Sequence, residues 1–232
     1  MDATRPRVFW QMEIPARAIA AKGARVFLQL REGLAYVWKH RPIFHQMMLA
    51  AVANGLGYQY LVLVPLFARN VLHGDARSYG FLVAIQGLGS VIGAATLASR
   101  VTTQGIRNNL IVGLLISGIG IVVFGLSGSM IISLAAQLVI GAGLTNFRAS
   151  NNTLVQLFVS DDLRGRVMST YQLAAVGMAP FGALEVGYLG HRVGPRATVV
   201  ICGAITIGCM AMLITRLRSI GAVESPALEV VD

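Results

Sequence analysis

Six stretches of this chain are each apolar for the length needed to cross a lipid bilayer, and that repetition constrains the fold more than any other feature. A helix rises ~1.5 Å per residue, so ~30 Å of hydrocarbon takes roughly twenty apolar residues. The stretches run Ile43–Ala68, Tyr79–Ser99, Asn109–Leu126, Met130–Val159, Val167–Gly190 and Ala197–Thr215. The breaks between them are short, at 69–78, 100–108, 127–129, 160–166 and 191–196, which forces consecutive helices to run antiparallel. With 55% hydrophobic and only 12% charged residues, the chain lacks the polar surface of a soluble globule of its size. The expected fold is therefore an all-α membrane protein of six transmembrane helices packed as one bundle.

The net charge of +9 invites a nucleic-acid reading, but the basic residues lie between the apolar stretches and form no separate basic and aromatic surface. Lipid and its head groups are the expected partners, and nucleic acid is not. With the N-terminus inside, the cytoplasmic side receives Arg5, Arg7, Arg17, Lys22, Arg25, Arg31, Lys39, Arg41, Arg100, Arg107, Arg164, Arg166, Arg216 and Arg218. The other side receives only Arg69, Arg77, Arg192 and Arg196. That asymmetry predicts a multi-pass plasma-membrane protein with both termini cytoplasmic. Residues 1–42 read as a cytoplasmic leader and linker, 43–218 as the bundle and 219–232 as a tail. Within the leader, Val26, Phe27, Leu30, Leu34, Val37 and Trp38 fall on one helical face, an amphipathic pattern suited to the bilayer interface or to packing on protein. Cys202 and Cys209, seven residues apart on one helix, cannot bridge and read as packing residues.

Glycines inside the stretches suggest close helix packing. Gly89 and Gly93 form a G-x-x-x-G, while Ala183 with Gly187 and Ala204 with Gly208 give small-x-x-x-small pairs. Pro65 and Pro180 remove backbone donors within spans, as at a transporter gate or in an ordinary kink.

A charge at membrane depth is costly and calls for a partner or a function. Arg148 stands in a polar stretch, Thr145–Thr153, and Glu185 is the acidic residue well inside an apolar run. Arg148 could face a polar cavity and attract an anionic group, with Asn146, Asn151 and Gln156 adding hydrogen bonds; equally, it could snorkel to the cytoplasmic interface. A direct pair with Glu185 requires neighbouring helices and an outward reach, since Arg148 lies on the order of 15 Å from one membrane face and Glu185 on the order of 10 Å from the other. Glu185 could exchange a proton for coupling or hold a structural hydrogen bond. Asn54, Tyr58, Gln59 and Gln86 are further candidates, either as cavity lining or as links between helices. The spans hold no paired acids, no cluster of histidine with carboxylate and no H-E-x-x-H, so neither an enzyme, a metal site nor a cofactor is expected.

Three segments carry a resemblance. Asp161-Asp162-Leu163-Arg164-Gly165-Arg166-Val167-Met168-Ser169, preceded by Asn152-Thr153-Leu154-Val155-Gln156, resembles the loop before the penultimate helix of major facilitator superfamily transporters of the enterobactin-exporter type. Arg31-Glu32-Gly33-Leu34-Ala35-Tyr36-Val37-Trp38 is similar to their central linker, and Pro180-Phe181-Gly182-Ala183-Leu184 followed by Gly187 continues the match. Physically, Asp161 or Asp162 can cap the following helix while Arg164 and Arg166, flanking Gly165, hold its end in the cytoplasm. The signature loop between second and third helices survives only as Ala95-Thr96-Leu97-Ala98-Ser99-Arg100 and Arg107, with Ser99 where that family carries an acid. The resemblance implies two six-helix bundles, each of inverted three-helix repeats, with solute bound between them. This sequence supplies the second bundle, so a first half or a second half-size chain is an expected partner: a truncated gene, a late start and dimerising half-size chains would each account for it. The implied function is proton-coupled efflux of a small siderophore-like or drug-like solute; the alternative is a half transporter inactive alone.

Overall fold

The computed structural model describes residues 37–38, 41–99 and 102–220. Among these, regular structure is entirely helical, and six helices are long and apolar enough to cross a membrane: Ile43–Asn70, Ala76–Ala98, Thr103–Leu126, Met130–Leu157, Asp161–Arg192 and Pro195–Met212. They are called the first to sixth spans below.

Local chemistry sets the ends of these helices, and it moves several from where hydropathy puts them. Asp75 caps the second span through a reciprocal pair with Ser78, whose backbone N–H donates to the carboxylate at 3.0 Å. Thr102 accepts from the Gly105 N–H at 3.1 Å and starts the third span at Thr103, so Arg107 and Asn108 belong to the helix and not to the expected loop. The fifth span likewise begins at Asp161. Its cap position is Ser160, which corrects the expected capping role of Asp161 and Asp162: both aspartates stand in the first turn, where their charge still favours the helix dipole. Gly194, at φ +88°, makes the turn into Pro195 that opens the sixth span.

The second span packs along the fourth, the fourth along the third and the third along the sixth, while the first packs against the fifth and sixth. Exchanging the first three spans for the last three in order maps these contacts onto one another: second on fourth becomes fifth on first, and fourth on third becomes first on sixth. That is the contact pattern of an inverted three-helix repeat, which the resemblance implies for one bundle.

Close approach depends on glycine, though not at every pair the spacing suggests. A Cβ at Gly89 or Gly93 would meet the backbone of Leu138 or Ala142, and one at Gly141 would meet the backbone of Gln86, so the second and fourth spans touch main chain to main chain. Among the described residues nothing lies within 4 Å of a Cβ at Gly187 or Gly208, so the expected pairs Ala183/Gly187 and Ala204/Gly208 make no close helix contact within this bundle. Gly182 instead presses on the Gly55 carbonyl of the first span, and Gly203 lies against Gly118 and Val122 of the third. The sequence shows small residues at the right spacing in both cases; which face is buried depends on the neighbour.

Two spans are not continuous α-helix. The first runs α to Val52, π over Ala53–Gly57, 3₁₀ over Tyr58–Leu63 and α again from Val64, with Pro65 in that first turn. The fifth, expected as a single run, is interrupted at Met178 and resumes at Ala179 with Pro180 in its first turn. A proline lacks the N–H and crowds the carbonyl four residues back, so the preceding turn must tighten or open. The two irregular segments meet, since a Cβ at Gly55 would lie 3.2 Å from Met178 Cβ.

Large apolar side chains fill three clusters. One gathers Tyr60, Phe67 and Phe124, with the two phenylalanine rings 4.4 Å apart, and a second gathers Leu110, Leu114 and Phe147. The third closes the end carrying the 158–160 turn and buries Val37 to 1% exposure beside Ile43, Met47, Val155 and Val167. Val37 and Trp38 end the amphipathic segment read from sequence; the rest of it lies outside the described residues.

Candidate polar site around Arg148

Arg148 is the charged side chain that the fourth span carries within its length, Met130–Leu157, and it is exposed there. Its partners come from the irregular part of the first span. Nε donates to Asn54 Oδ1 at 2.6 Å, and the guanidinium carbon sits 4.0 Å from the centroid of the Tyr58 ring. The Asn54 amide is oriented by its own helix: Nδ2 donates to the Ala50 carbonyl at 2.8 Å, leaving the oxygen for arginine. Gln59 Nε2, from the following 3₁₀ segment, reaches back to the Asn54 carbonyl of the π-helical turn at 3.3 Å. Three of the sequence candidates thus converge, and Gln59 steadies the backbone behind them.

The energetics explain why Arg148 stands here without an acid. Placing an arginine at mid-membrane costs about 3 kcal/mol on an insertion scale. A hydrogen bond to a charged donor returns about 1.5–3 kcal/mol and a cation–π contact about 0.5–2. Asn54 and Tyr58 therefore offset the cost between them. The direct pair with Glu185 is absent: among the described residues the one ion pair joins Arg164 to Asp161 at 2.7 Å, both exposed. Glu185 lies on the outward face of the fifth span, beside exposed Phe181, Leu184 and Tyr188.

Arg148 and Thr145 line two cavities at once. The larger, about 420 Å³, lies between the first, fourth and fifth spans and is lined also by Asn54, Asn152, Tyr171, Gln172 and apolar Ala149, Ala175 and Val176. The smaller, about 240 Å³, lies between the first, second and fourth and takes in Tyr58, Gln86 and Ser90. Gln86 also starts a hydrogen-bonded chain into the core, donating to the Tyr60 hydroxyl at 3.2 Å, which donates to Gln137 Oε1 at 2.8 Å.

Other candidates serve helix contacts. Asn146 Oδ1 accepts from Thr96 Oγ1 at 2.9 Å and Asn109 Nδ2 at 2.8 Å, tying the fourth span to the second and third. Asn151 Nδ2 donates to the Tyr171 hydroxyl at 3.0 Å, tying it to the fifth. Gln156 lines neither cavity. Gly165 and Arg166 are exposed in the second turn of the fifth span, and their carbonyls accept from Ser169 and Thr170. Sequence reasoning missed Thr145, Asn152, Tyr171, Gln172 and Ser90. Asn152 was legible as part of the polar stretch; Tyr171 and Gln172 carry no signal until the fifth span is laid against the fourth.

An inverted-repeat bundle of six spans with a polar, cationic recess in its wall defines the class: a multi-pass helical membrane protein built for transport. A family model described as transmembrane secretion effector matches residues 7–231. The chain belongs to that family, within the major facilitator superfamily. No curated protein matched the sequence significantly.

Proposed function

We propose that this chain is the C-terminal six-helix half of a proton-coupled secondary exporter of the enterobactin-exporter-like branch. Residues 43–218 form the bundle, residues 1–42 and 219–232 flank it in the cytoplasm, and the membrane is the plasma membrane. A second six-helix unit, either a first half or another half-size chain, completes the solute path. The observation that carries this reading is Arg148: a guanidinium at membrane depth, held on its Nε edge and on its face, exposed beside two cavities. Such a group attracts an anionic part of a small solute, and the family's description as a secretion effector supports outward movement. Glu185, an exposed acid on the fifth span, is the candidate for proton exchange.

The test is export by the two-unit transporter carrying Arg148→Ala. Export is expected to fall at least tenfold while membrane abundance stays level, since the substitution removes the cation without filling a packed position. Undiminished export would leave the arginine as a snorkelling residue with no part in recognition. The alternative, a half that transports nothing on its own, is favoured by the exposure of Arg148 and is separated by reconstituting the chain alone and with its partner unit.

A further inference from the structure

We infer that the ligand of the Arg148 recess is a monoanion of carboxylate type, an amphiphile carrying one negative charge. This rests on the reading of Arg148 as the anion-recognising group and narrows the class of solute it takes. The first observation is charge. Among the lining residues of both cavities Arg148 is the sole ionisable group of either sign in its charged form; the others are amides, hydroxyls and apolar groups. One positive charge in a low-dielectric wall neutralises one negative charge. Within this bundle a phosphate-like dianion would keep one uncompensated charge, and a cation would face the guanidinium with no carboxylate among the lining residues to answer it.

The second observation is geometry. Asn54 Oδ1 occupies Nε and Tyr58 covers the face, so two contacts in different directions fix the guanidinium plane. Among the described residues no partner takes the terminal Nη groups. Those donors form a planar fork, which matches the two oxygens of a carboxylate. The third is the shape of the space around the fork. The larger cavity joins polar Asn152 and Gln172 to apolar Ala175 and Val176, which suits a body that is part apolar and part hydrogen-bonding.

The test is equilibrium dialysis of the purified chain in lipid nanodiscs against four probes of one shape: benzoate, benzamide, benzylamine, and phenyl phosphate at a mildly alkaline pH where it is a dianion. Benzoate is expected to bind at least tenfold more tightly than benzamide or benzylamine and at least fivefold more tightly than phenyl phosphate. In Arg148→Gln the advantage over benzamide should vanish, and in Arg148→Lys, which keeps the charge without the fork, it should shrink severalfold. Phenyl phosphate binding as tightly as benzoate, with dependence on Arg148 retained, overturns the monoanion assignment and leaves anion recognition standing. Equal binding of benzoate and benzamide overturns both. The probe series on the unaltered chain decides the charge class even if the variants fail to fold.

Discussion

Asn54 shows how much of the site turns on one amide. Its Nδ2 is committed to the Ala50 carbonyl and its Oδ1 to Arg148, so it fixes the arginine by a short charge-assisted bond and cannot do so with its amide reversed. Asn54→Leu should therefore weaken solute recognition by roughly tenfold, the effect of losing about 1.5 kcal/mol of such a bond, with KM rising more than kcat falls. Concentration-dependent export in vesicles checks this. Glu185 makes a different prediction, because it is exposed and takes no part in the Arg148 contacts. Glu185→Gln should flatten the pH dependence of export while leaving probe binding at Arg148 unchanged; a normal pH profile would remove Glu185 from coupling. The charged candidates were legible one by one, since a lone arginine or glutamate in an apolar run is conspicuous. Their different depths were legible too, but their partners were not: the pairing of Arg148 with Asn54 and Tyr58 depends on which helix lies beside the fourth span.

Contacts between spans rest on glycine faces, and these give the clearest predictions for the helices. Gly89→Val sets a side chain against the Leu138 backbone and should lower unfolding stability in detergent by about 1–3 kcal/mol. Gly187→Ala meets open space and should be neutral or stabilising by up to about 1 kcal/mol through helix propensity. Thermal unfolding of the two variants in parallel distinguishes packed from unpacked glycines, which share the same spacing in sequence. At the start of the second span, hydrogen bonds from the Ser78 N–H and hydroxyl hold the Asp75 carboxyl below its ordinary value. The folded pKa is thus lower than the unfolded one, so this cap contributes its stability above the ordinary aspartate value of about 4 and loses it as pH falls through the folded value. Asp75→Asn should remove that acid-dependent loss of helix order, measured by amide exchange at 76–79. Most span ends were readable to within a few residues, but the third and fifth spans start well before their apolar runs, at Thr103 and Asp161, and the fifth differs in continuity as well. Its apolar run is continuous, and only the backbone shows the interruption at Met178 packed against the π-helical turn of the first.

For the whole molecule, the six spans among the described residues are an even number, which fits the proposal, drawn from the basic residues, that both ends of the chain lie on the cytoplasmic side. Tags at the N- and C-terminus should both be protected from external protease in sealed right-side-out cells; cleavage of either would reverse the orientation proposed for the bundle. Class and fold followed from sequence alone, because a bilayer admits few solutions for repeated apolar runs of roughly twenty residues. The six spans and their antiparallel order were legible at that level, and the superfamily through the resemblance of the 152–169 and 180–187 segments. Sequence could not decide which polar residues share a recess. Asn146, Asn151 and Arg148 lie within a few residues of each other on one helix, yet they point to different neighbours: the first to the second and third spans, the second to the fifth, the third to the first. Hydropathy records how deep a residue sits, while the direction it faces is set by packing against other helices, and only the tertiary structure supplies that.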